Sequence, residues 1–386
     1  MAGQRRWVAR HAALPEQALP PRPRADRRLR IGYHCVWWDS PVARHQLLNF
    51  IRHHDRAKIE PVCYSPVAVP HDIEERFALT RATGNLSDEA FAAQARADGL
   101  DIFVETTGFS PDHRYGAMAR RCAPIQVSYV NHHATTAVPN VDYVLGDAMC
   151  AGGADAGFFT ESVYPLPGCF FCFDLRGDDI PYAANPPSAA RGYVTFGCFG
   201  SGGKLNAELI AIWAEILTRN PDTKLMLQNA SLTPADNHRF AADRFARHGI
   251  GEDRLLLRGG VDHATILAAY ADVDVSLDTW PYCGGNTIAE SLWQGVPVVT
   301  LLGDRFSARY GASLLEAQGC TDLIARSPSD YVAIASNLAA DPRRLRMYRS
   351  QLRQKVTQSG FNDSELFARR IEAAYEDIYA RRMASP

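Results

Sequence analysis

From Val273 to Leu301 the chain runs through an apolar stretch, a glycine loop, a helical pattern and a second apolar stretch. Residues 273–277 read as a strand. Asp278-Thr279-Trp280-Pro281-Tyr282-Cys283-Gly284-Gly285 reads as a loop, the residues from Asn286 to Gln294 as a helix, and 297–301 as the next strand. Two strands joined by a helix over so short a distance must lie parallel, with the helix as crossover. The Gly-Gly pair ahead of Asn286 and Thr287 leaves backbone N–H groups bare at a helix N-terminus, a place where an anion binds. Glu290 follows one turn later on the same face. A carboxylate there repels phosphate but suits a ribose diol. The segment is therefore predicted to hold a nucleotide, with phosphates at Gly284, Gly285, Asn286 and Thr287 and the sugar at Glu290. An ordinary βαβ turn is the competing reading of this stretch taken alone.

The same alternation fills the rest of the chain. Strand patterns at 29–33, 59–64, 101–105, 124–129 and 141–145 are interleaved with helical ones near 46–53 and 88–98. A second series has strands at 193–197, 224–227, 255–257, 273–277 and 297–301, with helices starting near Asn206, Thr233 and His263. Such alternation implies parallel sheets with crossover helices. The 386 residues are long enough for two domains. The expected division is an N-terminal extension or linker (1–28), a first Rossmann-like domain (29–180), an interdomain linker (181–192), a second Rossmann-like domain (193–360) and a C-terminal helix (361–386). Leu366, Ile371, Tyr375 and Ile378 are expected on one stripe of that last helix.

Composition narrows the function. A net charge of −2 gives no global pull toward nucleic acid or a membrane surface. No apolar run reaches membrane-spanning length, and the basic N-terminus lacks the apolar core of a secretion signal. Nine scattered cysteines read as reduced thiols of a cytoplasmic protein. Cys169-x-x-Cys172 has neither a second pair nor nearby histidines, and its phenylalanine neighbours predict a buried strand rather than a metal site. Asp272-Val273-Asp274 has the form of an Asp-x-Asp metal motif. It falls where a helix ends and a strand begins, so its carboxylates are not expected to converge on one ion.

Four stretches resemble the catalytic region of family 41 glycosyltransferases, which comprise protein O-GlcNAc transferases, SPINDLY-type proteins and bacterial N-glycosyltransferases of adhesins. They are Tyr193-Val194-Thr195-Phe196-Gly197-Cys198-Phe199 with Lys204-Leu205-Asn206, the block from Asp278 to Thr300, Gly303 to Arg309, and Ala123-Pro124-Ile125-Gln126. The resemblance implies an α/β GT-B fold, two Rossmann-like domains facing a cleft, without the tetratricopeptide array of many relatives. It implies a metal-independent inverting transferase that moves GlcNAc or a hexose from a UDP-sugar to a protein side chain. No cofactor is expected. The expected partners are the nucleotide-sugar donor, a polypeptide acceptor and a partner protein that supplies acceptor recognition; nucleic acid is not among them. Lys204, after a glycine-rich loop, matches the lysine that stabilises the departing diphosphate. Asn286 and Thr287 match phosphate contacts, Glu290 the ribose contact, and Gln228 a position near the nucleotide. Asp304 and Arg309 rank below these.

The first half departs from the family. Asn131-His132-His133-Ala134-Thr135-Thr136-Ala137 resembles an active-site segment of the adhesin N-glycosyltransferases. His132 falls on the first histidine of that segment, and Ala137 replaces the second. The histidine expected after the first strand is missing near Ser40 and Pro41, leaving Asp39 and His45 as nearby substitutes. Ile266 stands where relatives place a histidine around the uracil, with His263 almost a turn earlier. Trp37-Trp38, unusual for the family, either shapes a pocket by stacking or packs the domain. His132, Asp39 and His45 are thus the candidate catalytic groups alongside Lys204, and Gln228 and His263 join the glycine loop as nucleotide-binding candidates. These departures leave three further options open: a nucleotide-sugar-binding pseudoenzyme, a non-protein acceptor, and GDP-fucose as donor.

Overall fold

The computed structural model describes residues 19–23, 27–38, 40, 43–131, 134–153, 157, 159–175, 180 and 182–384. The chain divides into two compact units, Met1–Asp174 with Asp363–Pro386, and Leu175–Asn362. The proline-rich stretch 181–192 lies within the second unit, and the C-terminal helix is counted with the first.

The first unit is built on a seven-stranded sheet in the order β3-β2-β1-β4-β5-β6-β7. Its strands are β1 (Leu29–His34), β2 (Ile59–Ser65), β3 (Leu79–Ala82), β4 (Ile102–Glu105), β5 (Ile125–Ser128), β6 (Tyr143–Asp147) and β7 (Ser162–Leu166). All pair in parallel. Every residue of β4 and β5 is buried, as parallel strands covered on both faces must be. The strand order reverses between β1 and β4, so the loops leaving these two strands border a crevice at their carboxyl ends.

The helix Ser364–Ala384 buries Phe367, Ile371, Tyr375 and Ile378. Leu366, expected on that stripe, is 40% exposed; Phe367, four residues before Ile371, takes its place on the inner face. A buried polar chain anchors the helix. Glu372 accepts from His54 Nδ1 at 2.9 Å and from the Asp55 N–H at 2.8 Å. His54 Nε2 lies 2.9 Å from the Tyr33 hydroxyl, itself 3.3 Å from that of Tyr375.

The second unit carries a six-stranded parallel sheet in the order β10-β9-β8-β11-β12-β13. Its strands are β8 (Thr195–Cys198), β9 (Lys224–Gln228), β10 (Leu255–Arg258), β11 (Val275–Leu277), β12 (Val298–Leu301) and β13 (Ile324–Ala325). Here the order reverses between β8 and β11, and the loops leaving these strands are the two glycine loops, one with Lys204 and one with Gly284 and Gly285. Asn206 caps the helix Ala207–Arg219 by accepting from the Leu209 N–H at 2.9 Å. Arg349, 1% exposed, donates to the carbonyls of Gln294 at 2.9 Å and Val273 at 2.5 Å, tying the helix Pro342–Gln358 to the turn before β12 and to the chain entering β11.

Three strands, β3, β7 and β13, go beyond the sequence expectation; they lie at the sheet edges, where short strands carry a weak pattern. The segment Cys169 to Phe173 is buried as expected but is not a strand. Its backbone is satisfied by side chains instead of a ladder: the Phe170 N–H donates to Asp147 Oδ2 and the Phe170 carbonyl accepts from the Tyr129 hydroxyl, both at 3.0 Å. All nine cysteines are buried and unbridged. No helix among the described residues is long and apolar enough to cross a membrane.

The Glu372 anchor generates a stability prediction. Glu372→Ala strands the buried N–H of His54 and the half-buried N–H of Asp55, a buried donor left unpaired costing about 1–3 kcal/mol. A loss of roughly 2–5 kcal/mol is expected in urea unfolding followed by tyrosine fluorescence, with a smaller loss for Glu372→Gln. An unchanged midpoint for Glu372→Ala would show that the helix does not depend on this anchor.

Candidate functional site

The loop after β11 is organised by one carboxylate. Asp278 Oδ1 accepts from the N–H groups of Gly284 at 2.7 Å and Thr279 at 2.9 Å, and Oδ2 accepts from Thr300 Oγ1 at 2.6 Å. The Gly284 N–H, expected to face a phosphate, is therefore committed to the protein. Glycine is required here by space. A methyl at Gly284 would sit 2.5 Å from Thr287 Oγ1, and one at Gly285 2.4 Å from the Tyr310 ring. The helix Asn286–Trp293 begins at Gly285 with no side-chain cap. Among the described residues nothing accepts from the N–H groups of Gly285 and Thr287, both of which are half-buried. These donors form the anion-binding end.

Lys204 meets this loop. Its Nζ donates to the Cys283 carbonyl at 2.7 Å and lies 4.1 Å from the centre of the Tyr282 ring. The ammonium is thus held one residue ahead of the Gly-Gly pair. Asn206 Nδ2 reinforces the joint by donating to the Trp280 carbonyl at 2.6 Å. Burial lowers the Lys204 pKa, and the nearby Asp278 carboxylate opposes that shift. For Asp278 burial dominates and pushes the carboxyl up to about 6.

One turn along the same helix, Glu290 is 5% exposed. Its Oε1 lies 2.9 Å from His263 Nε2, and its Oε2 accepts from the Tyr270 hydroxyl at 3.2 Å. Tyr270 also lies 2.9 Å from the Thr287 carbonyl and stacks on Phe199, ring centres 3.9 Å apart. The helix from Asn286 thus carries an anion-binding end and, deeper, an oriented carboxylate. Sequence reasoning named Glu290 and His263 separately and missed Tyr270, an aromatic residue directly after the helix His263–Ala269 and just ahead of β11.

Gln228, at the end of β9, is brought to neither cluster by a hydrogen bond. It lines a cavity of about 600 Å³ with Arg258, Gly260, Val261 and Thr265, and its buried Oε1 has no partner. Asp304 and Arg305 are exposed, and Arg309 donates to the Gly303 carbonyl at 3.1 Å. Asp272 pairs with Arg191 and Arg258, whereas Asp274 accepts from the N–H groups of Ser188 and Thr195. The two carboxylates serve separate joints, as their position between helix and strand predicts.

In the first unit, Asp39 and His132 lie outside the described residues, as do Pro41 and His133. His45 Nδ1 donates to the Asp174 carbonyl at 2.9 Å, and the ring leans on Phe173. Trp38 is buried against Phe77, while Trp37 is 36% exposed. The sequence reading also passed over a buried pair at the β1/β4 reversal. His34 Nδ1 lies 2.9 Å from Glu105 Oε2, and Glu105 accepts from the N–H groups of Thr107 and Arg114, both at 2.8 Å. This pair fixes the loop leaving β4.

Asp278 makes the second unit sensitive to pH. Its folded pKa is raised above the unfolded value of about 3.8, so its contribution to stability is complete below that value and is lost as pH rises through about 6. Asp278→Asn removes the titration. The melting temperature of the wild type, measured against this variant, is expected to fall between about pH 4 and about pH 6 and then stay level. A constant difference across that range would mean that Asp278 does not titrate there.

Comparison with known proteins gives the context for these loops. The sequence model of Glycosyl transferase family 41 matches residues 15–178 and 187–372. The chain is 31% identical over 391 residues to the probable UDP-N-acetylglucosamine–peptide N-acetylglucosaminyltransferase SPINDLY of Oryza sativa subsp. japonica, covering 98% of this chain and 42% of that protein. It is 26% identical over 364 residues to the probable UDP-N-acetylglucosamine–peptide N-acetylglucosaminyltransferase SEC of Arabidopsis thaliana, covering 90% of this chain and 37% of that protein. The chain thus spans roughly two fifths of the length of the curated relatives it matches. Among solved structures, a mutant of the Thermobaculum terrenum O-GlcNAc transferase aligns with a TM-score of 0.90 at 30% identity, over 98% of this chain and 73% of that one. Sucrose-phosphate synthase from Thermosynechococcus elongatus, at 14% identity and a TM-score of 0.59, shares the fold alone. The two Rossmann-like units are of the GT-B class, and the chain belongs to glycosyltransferase family 41.

Proposed function

We propose that this chain transfers N-acetylglucosamine from UDP-N-acetylglucosamine to serine or threonine side chains of polypeptides, with inversion at the anomeric carbon and without a metal ion. The observation that carries the reading is the helix Asn286–Trp293. Its N-terminus, with the Gly285 and Thr287 N–H groups open, adjoins Lys204 through the Cys283 carbonyl, and Glu290 is oriented one turn deeper by His263 and Tyr270. A nucleoside diphosphate satisfies both ends at once, with phosphates on the N–H groups and ribose hydroxyls on Glu290. The cavity beside Gln228 offers room for the base. The similarity to SPINDLY and SEC, whose names specify UDP-N-acetylglucosamine and peptide, supports this donor and acceptor.

In the proposed reaction the acceptor oxygen attacks C1 of the sugar and its proton passes to a base of the first unit. The bond from C1 to the β-phosphate oxygen breaks, and UDP leaves with the bonding pair. Negative charge builds on the β-phosphate, where the Lys204 ammonium offsets it. The candidate bases are His132, Asp39 and His45. His45 donates through Nδ1 to the Asp174 carbonyl, a bond that fixes its ring orientation. Cytoplasmic residence completes the reading and is supported by nine cysteines without a disulfide.

The test incubates the protein with UDP-N-acetylglucosamine, UDP-glucose, UDP-galactose or GDP-fucose and a mixed Ser/Thr/Asn peptide pool, with EDTA present. Peptide mass and free nucleoside diphosphate are read together. An N-acetylhexosamine gain on Ser/Thr peptides is expected, β-linked by NMR. Lys204→Ala is expected to reduce the rate by roughly 10²-fold or more, the scale of losing one preorganised transition-state contact. Transfer only from another donor or only to Asn would replace the donor or acceptor assignment. UDP binding with no transfer from any donor would overturn the reading.

A further inference from the structure

A second cavity, of about 510 Å³, opens at the amino-terminal ends of β5, β6 and β7. These are the opposite strand ends from those bordering the β1/β4 crevice, and every wall belongs to the first unit. Its volume falls within the range of small-molecule sites, about 300–1,000 Å³. Three guanidinium groups line it, from Arg121, Arg381 and Arg382, against one lining carboxylate, that of Asp142.

Two of the three arginines are neutralised by carboxylates. Arg121, 3% exposed, pairs with Asp142, which also accepts from the Gln126 N–H at 2.7 Å. Arg381 pairs with Asp377 at 2.8 Å and lies over the Tyr164 ring. Arg382 has no hydrogen-bond or ion-pair partner among the described residues, and its Nε is buried. Asn140, also in the lining, has a buried, unpartnered Oδ1, an acceptor that suits a ligand hydroxyl and not its oxyanion, and its Nδ2 donates to the Ala119 carbonyl at 2.8 Å. Arginines in the last turn of a helix complement its dipole, which accounts for their presence on the helix Ser364–Ala384. It does not account for a half-buried guanidinium left unpaired in a walled cavity, since an unsatisfied buried donor is costly. The Tyr143 ring, together with Ile125 and Val138, supplies an apolar wall beside this charge.

We propose that this cavity is a binding site for a small oxyanion-bearing metabolite, a phosphate ester or a polycarboxylate, gripped by the Arg382 fork with its body against Tyr143. A planar guanidinium matches either oxyanion through two parallel hydrogen bonds. The site is separate from the nucleotide loops of the second unit and stands whatever the transfer reaction proves to be.

The test is calorimetric titration of the full chain at fixed ionic strength with inorganic phosphate, glucose 6-phosphate and citrate, with and without saturating UDP. Saturable binding of at least one probe is expected, unchanged by UDP. Arg382→Ala is expected to weaken it roughly tenfold or more, the scale of a lost charge-assisted contact, and Arg382→Lys less. Both variants should melt with the wild type, because Arg382 holds no structural bond. Glucose 6-phosphate binding without citrate identifies the phosphate ester, and the reverse identifies the carboxylate. No saturable binding by any probe, binding that UDP displaces, or binding indifferent to Arg382 would each overturn the proposal.

Discussion

The glycine loop after β11 depends on the carboxylate of Asp278. It takes two backbone N–H groups and one hydroxyl, while its own backbone carbonyl accepts from the buried Tyr331 hydroxyl at 3.0 Å. Space around it is exhausted: a methyl at Gly311 would come within 2.6 Å of Oδ2. This crowding turns the chain sharply at Gly284, sets Gly285 at the start of a helix and leaves that helix uncapped. It also places a carboxylate near Lys204, so the same group that shapes the loop favours the charged form of the lysine. Burial works against both charges. An anion at the helix N-terminus would relieve the burial of the Lys204 ammonium, the physical basis on which the proposed diphosphate site rests.

Glu290 works by a different principle. Its two oxygens are held by His263 and Tyr270, so it presents a fixed acceptor rather than a mobile charge. The stacking of Tyr270 on Phe199 carries this orientation back to β8, the strand whose following loop holds Lys204. The helix N-terminus and Glu290 are therefore linked through one helix and one aromatic pair, at the strand reversal where parallel sheets of this kind bind ligands.

Much of this was legible in the sequence because it is local. The Gly-Gly loop, the caps and the strand–helix alternation are set by neighbours a few residues apart, and Lys204 announced itself by its glycine-rich context. What could not be read was non-local. Nothing near Tyr270 says that its hydroxyl reaches Glu290, twenty residues away, and Asp278 read only as the first residue of a loop, not as the centre of a hydrogen-bond set. The buried His34–Glu105 pair joins two strands seventy-one residues apart. Cys169 to Phe173 had the composition of a strand but finds its backbone partners in Asp147 and Tyr129, so no ladder forms. The exposed Leu366 and buried Phe367 differ by one position, a shift that an imperfect apolar stripe does not resolve.

The first unit is discontinuous: its sheet comes from the beginning of the chain, and the helix that buries Tyr375 and Ile378 and offers Glu372 to His54 comes from the end. The second unit is a single uninterrupted stretch between them. On the ribosome, then, the order of completion is the reverse of the order of synthesis. The seven-stranded sheet emerges first but must wait, with His54 lacking its carboxylate and the Tyr33 side uncovered, until the whole of the second unit has been made. The part that can finish early is the second unit, and a nascent chain halted before residue 363 would carry both glycine loops complete while the first sheet still lacked its cover.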